Sequence, residues 1–200
     1  MVVLLAVLFA VARIDLMTND GASLVKGTWR YSDVRVIEVP TKDAAGRTVV
    51  TNDFEPHAGG ADFNDASWEV IDPTRLAEPR SNGRVAFNWY RIRITIPEKV
   101  DGQSVAGMAV FFETVVDDYA EVWVNGQLPR DFGQNGGSVV AGFNAPNRVL
   151  LASNAAPGQQ IQIAIFGING PISDSPQNFI FLRSASLEFV QVPRQHAVRR

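Results

Sequence analysis

Isoleucine alternates with charged or polar residues along "RIRITI" (91–96), the period-two pattern of a strand with one face buried. "EVWVNG" (121–126) and "QIQIAIF" (160–166) repeat it. "MAVFFETVV" (108–116) and "NFIFLRSASLEF" (178–189) are richer in apolar residues, as strands inside a sandwich are, and "DVRVIEV" (33–39) predicts an earlier strand. Between these runs lie clusters of turn residues such as "EPHAGGADFND", "EPRSNGR", "EKVDGQ" and "NAAPGQ". At least six strands with almost no helical periodicity predict an all-β, mostly antiparallel sandwich or jelly roll.

The two ends are set apart from this pattern. Residues 1–12 are all apolar, too short a run to cross a bilayer, which takes roughly 20 residues. Ala10-Val11-Ala12 has the small-x-small form of a signal-peptidase site, yet no Lys or Arg precedes the run. Three readings of residues 1–16 stay open: a signal peptide, a miscalled start or remnant of upstream chain with Met17 as a second candidate start, and a native buried segment. A signal peptide implies a secreted or periplasmic protein; otherwise the reading is cytoplasmic. Residues 17–190 form the predicted sandwich, and residues 191–200 read as a basic tail or linker holding His196.

Composition narrows the function classes. A chain of 200 residues with 46% hydrophobic and 20% charged residues builds one real core. The net charge of -3 gives no basic footprint for nucleic acid. The absence of cysteine removes disulfides, thiolate metal sites and cysteine nucleophiles together.

The stretch "VVDDYAEVWVNGQLP" (115–129) poses the question of catalysis most directly, because Asp117 and Asp118 are adjacent acids. Neighbouring side chains on an extended chain point to opposite faces, whereas a carboxylate pair must face one substrate. These acids read as turn chemistry between two strands, and Asn125-Gly126 as a tight turn. His57, near Glu55 and Asp62, sits in a Pro- and Gly-shaped loop with no fixed ligand set. Ser138 in "GGSVV" lacks the strand-to-helix elbow of a serine nucleophile.

Binding is the better expectation. Trp29, Trp68 and Trp123 read as structural, whereas Trp89 and Tyr90 are neighbours in a strand, so one of them faces outward or toward a loop and offers a ring to a sugar face. The long polar loops supply Arg130, Asp131, Asn135, Asn144, Asn169, Asp174 and Asn178, amides and charges that match vicinal hydroxyls. The alternative for these residues is plain turn formation. No cofactor is expected; no D-x-D-x-D loop is present, and a structural calcium among the loops is the alternative.

Several phrases also carry a resemblance. "FNDASWEVID" (63–72), "NWYRIRITIPE" (88–98), "VVDDYAEVWVNGQLP" and "PGQQIQIAIFGING" (157–170) resemble, in that order, the galactose-binding-like jelly roll, including the sugar-binding domain of β-galactosidase-type glycoside hydrolases. "LVKGTWRYSDV", "EPHAGGADF", "GFNAPNRV" and "FGINGPISDSPQNFI" are similar to the N-terminal accessory domain of gluconolactonase-like, regucalcin-type proteins. The resemblance implies a non-catalytic domain that binds a carbohydrate or sugar acid, on a chain that stops where a lactone-hydrolysing propeller would begin. Because that propeller supplies the metal ligands, none carries over to this sequence. The alternatives are a structural domain that packs on or oligomerises a lactonase propeller, and a stand-alone hydrolase.

Overall fold

The computed structural model describes residues 10–129, 144–170 and 179–191, with the side chains of residues 10 and 11 left aside. Thirteen strands are described: β1 (Ala10–Asp15), β2 (Trp29–Asp33), β3 (Arg35–Lys42), β4 (Thr48–Glu55), β5 (Glu69–Ile71), β6 (Ala86–Thr95), β7 (Lys99–Val100), β8 (Gln103–Ser104), β9 (Ala109–Asp117), β10 (Tyr119–Val124), β11 (Asn147–Ala152), β12 (Gln160–Asn169) and β13 (Phe181–Val190). Two sheets face each other, one ordered β1-β13-β9-β11 and the other β10-β12-β6-β2-β5, while β3-β4 and β7-β8 are separate hairpins. The described pairings between named strands are antiparallel. The protein is an all-β jelly-roll sandwich.

Period two explains the core. Ile92 and Ile94 of β6, Ile161 and Ile163 of β12, and Phe112 of β9 turn inward and are almost fully buried. Trp29 is fully buried with them, and its Nε1 donates to the Leu16 carbonyl at 2.9 Å. The single α-helix among the described residues, α1 (Asn19–Leu24), starts where the Thr18 hydroxyl accepts from the Gly21 amide at 3.1 Å. A Cβ on Gly21 would lie 1.8 Å from the Asp15 carbonyl oxygen, so no other residue fits this corner.

Three features go beyond the sequence expectation. Strand β1 lies inside the segment set apart at residues 1–16: it pairs with β13 and sends Ala12 and Ile14 into the core, with Leu16 following. "DVRVIEV" is two elements, the end of β2 and the start of β3, because β3 leaves the sheet to pair with β4. The acids Asp117 and Asp118 join strands of different sheets, β9 and β10, so they mark a crossing between layers. Their side chains take different partners. Asp117 accepts from Arg183, while the buried Asp118 accepts from the Gly170 amide at 3.4 Å.

At the β2–β6 end, Tyr31 donates to Asp33 at 2.6 Å, and the Ser81 hydroxyl donates to the same oxygen at 2.6 Å. The Tyr31 and Tyr90 rings lie 5.2 Å apart. Burial, with the Asp33 carboxylate beside it, pushes the Tyr31 phenol up. Burial first, then the neighbouring Tyr31, does the same for Tyr90. A raised folded-state pKa adds stability below the ordinary tyrosine value of about 10, and that stability is lost at higher pH. On alkaline titration the tyrosinate absorbance of these two rings should therefore rise together with loss of the far-ultraviolet strand signal. Ionisation of both near pH 10 in a still-folded domain would contradict this environment.

Candidate saccharide-binding face

The outward face of the five-stranded sheet holds the candidate site. Along β6, the residues that alternate with the core isoleucines are Trp89, Arg91 and Arg93; on β12 they are Gln160, Gln162, Ala164 and Phe166. The β3-β4 hairpin and the loop of residues 56–65 cover part of this face. Trp89 Nε1 donates to the Pro56 carbonyl at 2.8 Å, and Arg91 donates to the Ala58 and Gly60 carbonyls. Arg91 Nε also bonds Asp65 Oδ2 at 2.8 Å, with the arginine wholly buried. An arginine is rarely fully buried unless it is paired in this way. The loop divides the face into two depressions.

The first is a recess of about 160 Å³ lined by Phe54, His57, Gly59, Trp89, Glu121 and Trp123, with Gly60 at its edge. Beneath it lies a small aromatic core. Phe166 stacks on Phe54 with centroids 4.8 Å apart, Trp89 sits 4.7 Å from Phe166, and Trp123 meets Trp89 edge-on at 6.5 Å. Trp123 is partly exposed, and its Nε1 donates to Glu121 Oε2 at 3.1 Å. The loop can run this close because Gly59 has no side chain: a Cβ there would lie 2.7 Å from the Trp123 ring. His57 is exposed, tilts over Phe54 at 4.6 Å and contacts Asp53 at 3.3 Å. An apolar ring beside a carboxylate and an imidazole suits a ligand with one C–H face and a polar rim.

The second depression, about 550 Å³, lies on the other side of the loop. Lys26, Arg30, Arg91, Arg93, Gln160 and Gln162 line it together with Asp62, Asn64 and Asp65. Arg93 donates to the Ala61 carbonyl at 3.2 Å from its exposed side chain. Gln162 Nε2 is committed to the carbonyls of Ile92 and Ile163.

The expected site residues fall in different places. Tyr90 is fully buried in the core between the sheets, so its assignment as a ligand contact is corrected: it is the inward member of its pair. Trp89 is the outward member, but the 56–65 loop covers it, leaving it as a wall of the recess and not a free platform. Asn144 and Asn169 flank the Asp118 corner. The Asn144 amide donates to the Asp118 carbonyl at 2.9 Å, and Asn169 is buried beside Gly170 at the end of β12. Arg130, Asp131, Asn135, Asp174 and Asn178 lie outside the described residues, as do Ser138 and His196. Among the described residues no group of three or more His, Cys, Asp and Glu converges as a metal site. No described helix is long and apolar enough to cross a membrane.

Two features of the face were not singled out from the sequence. Trp123 with Glu121 is legible in hindsight as two residues, i and i+2, on one strand face. Arg91 and Arg93 carry the same spacing, but the loop that makes one of them buried is a tertiary fact.

No family model and no curated protein sequence matches the chain. Among solved structures it is similar to a β-glucuronidase from glycoside hydrolase family 2, with 20% identity over 82% of this chain and 18% of that one, at a TM-score of 0.43. The Faecalibacterium prausnitzii β-glucuronidase gives 16% identity over 90% of this chain and 32% of that one, at 0.47. TmCBM61, solved in complex with β-1,4-galactotriose, gives 16% identity over 80% of this chain and 86% of that one, at 0.30. The chain thus spans under a third of the length of either glucuronidase.

Proposed function

We propose that this domain is a non-catalytic carbohydrate-binding module that takes a sugar ring in the recess lined by Trp123, Glu121 and His57. The observation that carries the reading is a partly exposed tryptophan standing beside a carboxylate and an imidazole in a recess of about 160 Å³. The ring would lie with its C–H face on Trp123, and Glu121 and His57 would meet its hydroxyls. The finer reading, an accessory domain of a gluconolactonase-like protein, rests on the sequence phrases given above. In it, the domain supplies binding while lactone chemistry belongs to a propeller elsewhere. Calcium in the polar loops, and ligand contacts from Arg130, Asp131, Asn135, Asp174 and Asn178, are held as parts of the same proposal.

The rival reading, a scaffold that packs on a propeller, needs an open apolar face. The outward face of the four-stranded sheet instead carries a lattice of opposite charges. Arg148 pairs with Glu188 at 3.0 Å and Glu113 at 3.9 Å, and Arg13 reaches the same two acids at 3.6 and 3.8 Å. That arrangement suits solvent better than an apolar partner.

The test is calorimetric titration with neutral oligosaccharides, sugar acids and their lactones. Trp123→Ala should weaken saccharide binding roughly tenfold or more by removing the stacking surface, and because the ring also packs on Trp89, melting curves check that the variant is folded where it is titrated. Unchanged affinity in the variant would remove the recess from the account. Absence of binding by the native domain to every saccharide would favour the scaffold reading.

A further inference from the structure

The second depression is chemically unlike the first. Arg30 and Arg91 lie directly opposite each other on β2 and β6, an arrangement that repels unless something negative sits between them. Asp65 partly fills that role, reaching Arg30 Nε at 3.6 Å and Arg91 Nε at 2.8 Å. One carboxylate cannot neutralise two guanidiniums. Arg93 and Lys26 add two more cations to the same walls, against Asp62 alone. Four cations thus face two carboxylates on a protein whose net charge is -3. The arginine at the base is wholly buried, and its Nη2 has no hydrogen-bond partner among the described residues. A buried guanidinium donor left unbonded is costly, and an anion in the cleft lowers that cost through its field.

We infer that this cleft holds the carboxylate of an acidic saccharide, with Arg93 and Lys26 as its exposed contacts and Arg91 as a fixed charge beneath. This inference rests on the carbohydrate-binding reading and adds the ligand class. The volume, about 550 Å³, lies in the range of sites for whole ligands, more than a bare ion needs. Polar amides from Gln160 and Asn64 stand beside the cations, suited to the hydroxyls that accompany a uronic or aldonic carboxylate. Both depressions border the same loop, whose residues 57, 59 and 60 line the recess and residues 62–65 the cleft.

The experiment compares a hexuronic acid trimer with the neutral trimer of the matching hexose, by calorimetry on the full chain at low salt and at about 0.5 M salt, with inorganic phosphate as a third probe. The acidic trimer should bind about tenfold more tightly at low salt, and the ratio should shrink at high salt as the charges are screened. Arg93→Gln and Lys26→Gln should each narrow the ratio; both side chains are exposed, and melting curves check that the variants fold. Equal affinity for the two trimers, or a ratio that both variants leave intact, overturns the inference and spares the carbohydrate reading. Binding of neither trimer overturns both. Phosphate binding as tightly as the acidic trimer shows a site for charge alone and also overturns the inference.

Discussion

A chain begun at Met17 should fail to fold stably. The truncation removes β1, the edge strand paired with β13 from Ala12↔Phe189 to Asp15↔Ser186. Ile14 and Leu16, 3% and 0% exposed, leave the core with it. Burying such side chains contributes about 1.5–3 kcal/mol each, so the loss is roughly 3–6 kcal/mol before strand pairing is counted. Against a typical domain stability of about 5–15 kcal/mol, that leaves a marginal fold or none. The damage extends inward. Trp29 Nε1, fully buried, loses the Leu16 carbonyl that accepts its proton. β13 also becomes an open edge, a template for aggregation. Circular dichroism melts and size-exclusion profiles of chains 1–200 and 17–200 check this; equal Tm and equal monomer yield would contradict the role assigned to β1.

The second large effect is expected at Asp65. Asp65→Asn leaves Arg91 buried without its carboxylate, and leaves Arg30 facing it across the strands. Breaking one side of a buried pair costs about 3–5 kcal/mol. Because the Asp65 side chain is 24% exposed, the lower end applies, about 3 kcal/mol. For a domain of this size that is a fall in Tm of roughly 6–12 °C. The 56–65 loop should loosen as well, since Arg91 ties it to the sheet at Ala58 and Gly60. Hydrogen exchange would show this as faster exchange at the loop amides. A Tm within about 2 °C of native would mean that the pair carries little of the face's structure.

The strands that carry the site were legible because their partners are themselves periodic. "RIRITI" and "QIQIAIF" alternate in step, and their register puts Ile92 opposite Ile163 and Arg93 opposite Gln162. β1 was missed although Ala12, Ile14 and Leu16 alternate with Arg13 and Asp15, because the apolar run of residues 1–12 overlaps its start and drew these residues into a segment set apart from the sandwich. Its partner, β13, lies at the other end of the described chain, where local pattern gives no link. The Asp117-Asp118 pair was recognisable as turn chemistry from the chain geometry alone. The crossing it makes between sheets was not, since a hairpin and a sheet change begin with the same residues. The site was half legible. Trp89 and Tyr90 were correctly split to opposite faces, but only tertiary structure shows the 56–65 loop lying over Trp89 and leaving Trp123 as the partly exposed ring.

In the proposed function, saccharide meets the Trp123 side of the five-stranded sheet. Fluorine resonance of protein labelled with 5-fluorotryptophan tests it most directly, because the sequence has only four tryptophans and each gives one signal. Titration with an oligosaccharide should move the Trp123 resonance, assigned by Trp123→Phe, and perturb that of its recess neighbour Trp89 less. Trp29, fully buried between the sheets, should stay fixed. A saccharide that binds yet leaves the Trp123 resonance unmoved would contradict the account and place the binding surface elsewhere on the domain.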